Sequence, residues 1–583
     1  MMETRRYLAK VAMRWSPLLV ATAVLSLVVG LAPPAVTNLA SQSSGGAAST
    51  RAASRHLGAG TAGGGSGAAG GAGGAGGAAS TSAGGSSGSG GALGTGSGTG
   101  TGGSPAAGGG QGVSSAVSVT TPQGTGSACS GGSKQFAWSV YAPPCRGPFH
   151  GSNGGTTGQG VSASTVNISF AEPNSSQQAA VNAFAGTAAI NTQQFIADMN
   201  VYIHYFNRQF QLYGRKVVLH PFQAQGSYLA ETAGQDLAGA QADAQTAASI
   251  PAFADLTFPL FASAYYEQDL AANHVIGTAG IGMPLSWYEQ YAPYEVSYVP
   301  TGTAAAYGFA NAICTRMAGL PAIFSPQYAH TTRKFGLIVP NSPAYLVVER
   351  NIADQLQRAC GMKMTIVETY DEGNLQTYST DAATFMAKMK SLGVTTVVCG
   401  CDPIFPIMVS QAAAQQNYYP EWVAIGWGDP TTRDYNQSEW SHAISQEGQY
   451  PVNQQTEAYK VYLAASGGKP PEEKYYEVAY YMLLSFYDGL QLAGPDLNAA
   501  TFLHGWMSMP RTAAGQDGIW QGGPQAFSLA DVVTGMGWWD PNATSNFDGQ
   551  KGAWENCGNG RLYFYNEPGG WGTPHTQFNC FGR

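Results

Sequence analysis

The sequence predicts an α/β protein with two lobes, each a parallel sheet flanked by helices. Two observations predict it. Between residues 331 and 426, short apolar runs alternate with helically spaced segments through short links, which is the pattern of a parallel sheet covered on both faces. A second alternating unit of similar size occupies residues 165 to 280. Two such units in one chain imply two lobes with a cleft between them.

The later unit opens with Lys334-Phe335-Gly336-Leu337-Ile338-Val339, an apolar run that fits a strand buried on both faces. From Ala344 to Cys360, residues Leu346, Val347, Ile352, Leu356 and Ala359 recur at helical spacing, and Gly361 ends the helix. Met364 to Val367 is the next strand. Thr380 caps a helix carrying Phe385, Met386, Met389 and Leu392, which Gly393 closes. The strand Val394 to Val398 ends in Cys399-Gly400-Cys401-Asp402-Pro403, a helix covers about 404 to 416, and Trp422 to Ile425 is a fourth strand. Ligands of such sheets lie at the carboxyl ends of the strands, which directs attention to Pro340–Tyr345 and Cys401–Pro403.

In the earlier unit, the strand Thr165 to Phe170 alternates Val166, Ile168 and Phe170. A helix from about 192 to 212 carries the stripe Phe195, Ile196, Met199, Ile203, Phe206 and Phe210, and Tyr213-Gly214 stops it. The strand 216–219, an alanine-rich helix 236–249, the strand 254–258, a helix 264–272 and the strand 274–277 follow. Further on, the helix 472–492 places Tyr476, Ala479, Tyr480, Leu483, Leu484 and Tyr487 on one face.

Composition sets the compartment. Of 583 residues, 78 are glycine, and much of that falls in the Gly/Ala/Ser tract 41–127, which cannot bury a core and reads as a flexible linker. Its span is on the order of 50 Å. The tract contains Gly84-Gly85-Ser86-Ser87-Gly88, a formal nucleophile-elbow match without the strand–turn–helix context that chemistry requires. Charged residues make up 11% of the chain and the net charge is −8, with no basic stripe, which argues against a nucleic-acid partner. Arg5, Arg6, Lys10 and Arg14 precede the apolar segment 15–32, the layout of a signal peptide or of one membrane span. The segment 4–10 is similar to a twin-arginine export signal, from which Ala9 departs. The best cleavage candidate, Gly30-Leu31-Ala32, is followed by Pro33, which disfavours cutting, and no cysteine is placed for a lipid anchor. Residues 1–40 are therefore expected to be a retained membrane anchor outside which the rest of the chain lies.

The eight cysteines of an exported chain are expected to pair. Cys129 with Cys145 and Cys557 with Cys580 are natural local pairs, bracketing a lead-in at 128–160 and the end of the chain. Cys314, Cys360, Cys399 and Cys401 form two more, with connectivity left open. The C-x-C spacing at 399–401 does not support a thioredoxin-like motif, and without a histidine cluster no metal site is expected. Trp520, Trp538, Trp539, Trp554 and Trp571 are read as packing residues of the tail, ahead of sugar stacking.

The order of these elements resembles the type I periplasmic solute-binding proteins, in the branch serving branched-chain amino acid and amide ABC transporters. The match runs through Tyr205-Phe206-Asn207 to Tyr213-Gly214-Arg215-Lys216-Val217, Ala242-Asp243-Ala244-Gln245, Lys334 to Ile338 with the following Tyr345, Met389 to Val394, and Ala412 to Gln416. Trp538 to Thr544 resembles a C-terminal turn of actinobacterial members. The resemblance covers about residues 160 to 583 and implies a Venus-flytrap fold that closes on its ligand, with no catalytic residues and no cofactor. It places lobe 1 at 161–300 plus 450–500, lobe 2 at 301–449, and a C-terminal extension at 501–583. Crossings between lobes are expected at Tyr298–Thr303, Trp427–Ile444 and Gln449–Val452.

The implied ligand is an amino acid, an amide or a similar small polar metabolite. Ser263 either caps a helix or also holds a carboxylate. Ala279 and Gly280 present backbone groups or form an ordinary loop. Tyr345 packs over the ligand or is a half-buried helix residue. Asp402 and Asp429, after lobe 2 strands, either hold an ammonium group or serve as caps. The expected function is delivery of the solute to an ABC transporter permease. The alternative is a ligand-sensing extracellular domain acting with a membrane partner. An exported hydrolase is disfavoured by the lack of a His-Glu-x-x-His motif and of a phosphate loop.

Overall fold

β1 (Thr165–Glu172) is the strand around which the first lobe is built, with Val166, Ile168 and Phe170 buried along one side. The computed structural model describes residues 129, 133–175, 177–179, 189–425, 428–447, 456–545, 548–567 and 569–582. All of these belong to the second of the chain's two units, Gly110–Arg583. The expected anchor, the Gly-rich linker and its elbow motif lie outside the described residues. Among the described residues, no helix is long and apolar enough to cross a membrane.

Lobe 1 continues through α1 (Thr192–Gln209), β2 (Lys216–Gln223), α2 (Tyr228–Thr232), α3 (Leu237–Ser249) and β3 (Ala254–Asp255). β1 pairs in parallel with β2 and β3, and single parallel bridges from Ala254 to Ile276 and from Gly277 to Glu295 extend the same sheet. α4 (Ala264–Ala272) and α5 (Leu285–Tyr291) follow the later strands. α1 starts where the Asn191 side chain accepts from Gln194 N, and it buries Phe195, Ile196, Met199, Ile203 and Phe206. It ends at Gln209, because Tyr213 and Gly214, with φ of 56° and 88°, turn the chain into β2. Arg215 of this turn donates to the carbonyls of Ser162 and Pro495, each at 2.8 Å, so its role is to hold the lead-in and a distant loop against the lobe.

The chain enters lobe 2 at α6 (Gly302–Ala312), capped by Thr301. The order is then β4 (Phe335–Pro340), α7 (Pro343–Cys360), β5 (Ile366–Tyr370), α8 (Tyr378–Ser391), β6 (Thr396–Cys399), α9 (Phe405–Gln415), β7 (Glu421–Ile425), α10 (Asp429–Thr432), α11 (Gln437–Trp440) and β8 (Ala443–Glu447). All six residues of β4 are buried, with Leu337 and Val339 facing one core and Ile338 the other. β5, β4, β6, β7 and β8 lie side by side in parallel. At the amino ends of β4 and β7, Arg333 and Glu421 form a fully buried ion pair at 2.7 Å.

α12 (Glu457–Ser466), α13 (Tyr476–Ala493) and α14 (Ala499–Met507) return to lobe 1, where Tyr487 on α13 donates to Asn207 Oδ1 on α1 at 3.0 Å. The chain then goes back to the second sheet: β9 (Val533–Thr544) pairs antiparallel with β8, β10 (Lys551–Asn556) pairs with β9, and the short β11 (Tyr563–Phe564) pairs with β9. The crossing expected at Trp427–Ile444 is not made, because β7 and β8 are parallel neighbours in one sheet and the intervening chain stays in lobe 2. The crossing expected at Gln449–Val452 lies outside the described residues. A passage not read from the sequence runs from Leu529, in the first core, to Val533 at the start of β9.

Cys129–Cys145, Cys314–Cys360, Cys399–Cys401 and Cys557–Cys580 are disulfide-bonded. The lead-in packs Phe136, Trp138 and Tyr141 into the first core. In the tail, Trp539 Nε1 donates to Gln437 and Trp554 Nε1 to Thr432, at 2.7 and 2.9 Å, so these rings fasten β9 and β10 to lobe 2.

Candidate functional site

The carboxyl ends of the strands of both lobes face one another across a cleft of about 550 Å³. Lobe 1 supplies the loop after β3, the loop after the strand residue Ile276, and α5; lobe 2 supplies the loops after β4, β5 and β6. The cleft brings together five of the six residues singled out in the sequence: Ser263, Ala279, Gly280, Tyr345 and Asp402. It continues into a second pocket of about 100 Å³, which shares Tyr228, Glu372 and Asp402 and is walled by Leu229, Leu260, Leu375, Ile404 and Ile407.

Contacts between the lobes include two beside the cleft. Gly282, with φ of +73°, lies under Tyr345, so a Cβ there would stand 2.8 Å from Tyr345 Oη. Gly373 lies against the backbone of Ala233, where no side chain would fit. Both contacts join lobe 1 to lobe 2 beside the cleft.

The polar groups of the predicted residues are largely engaged within the protein. Ser263 caps α4 by accepting from Tyr266 N at 3.0 Å, and its hydroxyl donates to Glu231 Oε2 at 2.6 Å. Its single proton is therefore engaged within lobe 1. Burial pushes the Glu231 carboxyl up to about 7. The Ala279 N–H is directed at Glu267 Oε2, and the Gly280 carbonyl accepts from the Tyr288 hydroxyl. Glu267 and Glu295, buried under this loop, are both shifted upward by burial and by each other's charge or that of Asp255.

Asp402 lines the cleft, but its carboxylate accepts four hydrogen bonds: from the Tyr370 and Tyr378 hydroxyls at 2.7 and 2.9 Å, and from Ile404 N and Phe405 N at 2.6 and 3.0 Å. Its main duty is to cap α9 and to tie β5 and α8 to the loop after β6. Asp429 does not line the cleft. Its oxygens accept from the Ser545 hydroxyl at 2.6 Å and from Trp554 N at 2.9 Å, so the ligand role expected of it gives way to fastening the C-terminal strands. The tail tryptophans line neither pocket.

Sequence reading missed Glu372, Trp287 and Tyr228, which also line the cleft. Glu372 stands two residues beyond β5, at the carboxyl end of a parallel strand, where the rule that selected Pro340–Tyr345 also applies. Asp371-Glu372-Gly373 reads as a solvated turn, which hid it. Burial, and then the charge of Asp402, push the Glu372 carboxyl up to about 8, while Ser342 hydrogen-bonds to it.

No protein-family model matches the chain, and no curated protein matches it. Solved structures similar to it include a leucine-, isoleucine-, valine-, threonine- and alanine-binding protein from Brucella ovis in its closed conformation, with 12% identity, 69% of this chain and 97% of that chain covered, and a TM-score of 0.48. Another is a type 1 periplasmic binding protein from Bordetella pertussis, with 11% identity, 67% and 99% covered, and a TM-score of 0.45. A third is an ABC transporter solute-binding protein from Rhodopseudomonas palustris in complex with 3,4-dihydroxybenzoic acid, with 11% identity, 67% and 97% covered, and a TM-score of 0.47. At these identities and scores the likeness carries no ligand or activity over to this chain.

Proposed function

We propose that the protein is an extracytoplasmic solute-binding protein that captures a small molecule between its two lobes and delivers it to the permease of an ABC importer. The observation that carries this reading is the convergence of Ser263, Ala279 and Gly280 from one lobe with Tyr345 and Asp402 from the other on a single cleft at the carboxyl ends of both sheets. A cleft of about 550 Å³ is the size of a small-metabolite site. The amino-acid and amide classes suggested by the sequence are tested beside amines and aromatic acids, with the apolar segment 15–32 as the proposed membrane anchor.

The test uses the full-length protein and a thermal-shift panel of amino acids, amides, amines and aromatic acids. A compound that binds the native state raises Tm, by an amount that grows with its concentration. Capture predicts at least one such compound, with the shift reduced in Tyr345→Ala. A panel without any shift, together with turnover of a substrate, would sink the reading. Co-purification with a permease separates delivery from sensing.

A further inference from the structure

The side chains of the cleft and its annex carry one sign of charge. Glu372 and Asp402 line both pockets and Asp434 lines the annex, while among the described residues no Lys, Arg or His lines either. Two donors that a ligand carboxylate would use are engaged within lobe 1: the Ser263 proton goes to Glu231, and Ala279 N–H is turned towards Glu267. An anion would meet two carboxyls, with no cation to offset the loss of its hydration. A cation would meet the opposite situation.

The remaining surface combines neutral polar groups, among them Gln268, Gln290 and Ser342, with aromatic and aliphatic walls. Tyr228, Tyr265, Trp287, Tyr291 and Tyr345 surround the main cleft, and the annex is walled by leucine and isoleucine. Aromatic faces attract a cationic nitrogen through their quadrupole, and most strongly where water is displaced. Asp402 has its oxygens filled by four donors, which leaves Glu372, hydrogen-bonded by Ser342, as the other carboxyl of the main cleft to turn to a ligand.

Resting on the capture reading, we infer that this cleft takes a ligand with a cationic nitrogen on an apolar or aromatic body, that Glu372 is its counter-charge, and that free carboxylates are rejected. The groups facing Glu372 are Asp371, Asp402, Ser342, Tyr228, Tyr345 and Tyr378. The tyrosines are shifted upward by burial and stay neutral, and the two aspartates raise the carboxyl of Glu372. A bound cation favours the ionised form, so binding releases a proton and tightens as pH rises from about 6 to about 9.

The experiment is calorimetric titration of the full-length protein with benzyltrimethylammonium, benzyl alcohol and phenylacetate. The ammonium compound, whose charge does not change with pH, is expected to bind about tenfold tighter than the alcohol, and phenylacetate weaker than either. Glu372→Gln is expected to bring the first two affinities within about threefold and to abolish the pH dependence, with a near-ultraviolet circular dichroism spectrum matching the parent as evidence of a folded cleft. Glu372→Asp retains the charge and the preference. Phenylacetate binding as tightly as the ammonium compound, no binding of the ammonium compound, or an unchanged preference in Glu372→Gln would each overturn the assignment. None of these outcomes touches the capture reading, which the wider panel and Tyr345→Ala decide separately.

Discussion

Asp531 holds Thr301 by two hydrogen bonds, accepting from its N–H at 2.7 Å and from its hydroxyl at 2.8 Å. Thr301 is the residue at which the chain enters lobe 2, and its Oγ1 also caps α6 by accepting from Ala304 N at 3.2 Å. Asp531 sits where the chain returns from the first core to β9. Two passages between the lobes are thus fastened together by one carboxylate. Asp531→Ala leaves a buried N–H without its partner and is expected to cost about 1–3 kcal/mol in denaturant unfolding. Asp531→Asn retains an acceptor for the N–H and should cost less. Equal stabilities of the alanine variant and the parent would show that the fastening is not needed.

The Arg333–Glu421 pair at the amino ends of β4 and β7 predicts a larger loss. Both side chains are fully buried, and Glu421 also accepts from Phe324 N and from the Thr396 hydroxyl, each at 2.9 Å. Glu421→Ala strands a buried guanidinium and two further donors, at a cost of about 3–5 kcal/mol. Equilibrium unfolding in urea, with a lowered midpoint at unchanged slope, is the expected result.

Stability should fall as pH rises through neutrality. Burial is the first cause of raised pKa in Glu457, Glu477, Asp517 and Asp531, each held at about 7, and in Glu439, held at about 8. A carboxyl raised in the folded state binds its proton more tightly there than in the unfolded chain. Its contribution is therefore fully present below the unfolded value and is lost as pH climbs through the folded one. Differential scanning calorimetry is expected to give a higher Tm at about pH 5 than at about pH 8, with the fall running from the ordinary carboxylate range up to about pH 7 to 8 and levelling off above it. A flat or rising profile over that interval would contradict the burial assigned to these groups.

The second lobe was legible because its central strands β4, β6 and β7 are buried on both faces. Phe335 to Val339 must then be a continuous apolar run, and no solvent-facing position interrupts it. The C-terminal strands were not legible, since β9 contains Gly535, Gly537 and Pro541, which locally favour turns, and only pairing with β8 makes it a strand. The cleft positions followed from the carboxyl-end rule, but their chemistry did not. Whether Asp402 offers its oxygens outward depends on Tyr370 and Tyr378, which reach it from β5 and α8. Asp429 looked equivalent to Asp402 by position, and only the return of Ser545 and Trp554 from the end of the chain makes it structural.

The contact between Gly282 and Tyr345 gives a test of closure itself. Gly282 adopts a φ of +73°, and its open side faces the tyrosine hydroxyl of the opposite lobe. Gly282→Ala adds a methyl 2.8 Å from Tyr345 Oη and 3.1 Å from its Cε1, too close for both lobes to keep this approach. The left-handed backbone adds strain of roughly 1–2 kcal/mol. If capture requires this approach, affinity for the compound that best raises Tm should fall by about tenfold or more, which corresponds to about 1.4 kcal/mol. Combining it with Tyr345→Phe removes the nearest atom and should recover part of the loss, while Gly282→Ser should not. Titration calorimetry on the parent, the single variants and the pair measures this coupling. Additive effects in the pair would mean that the methyl acts through local strain in lobe 1 and that Tyr345 does not close over Gly282 when a ligand binds.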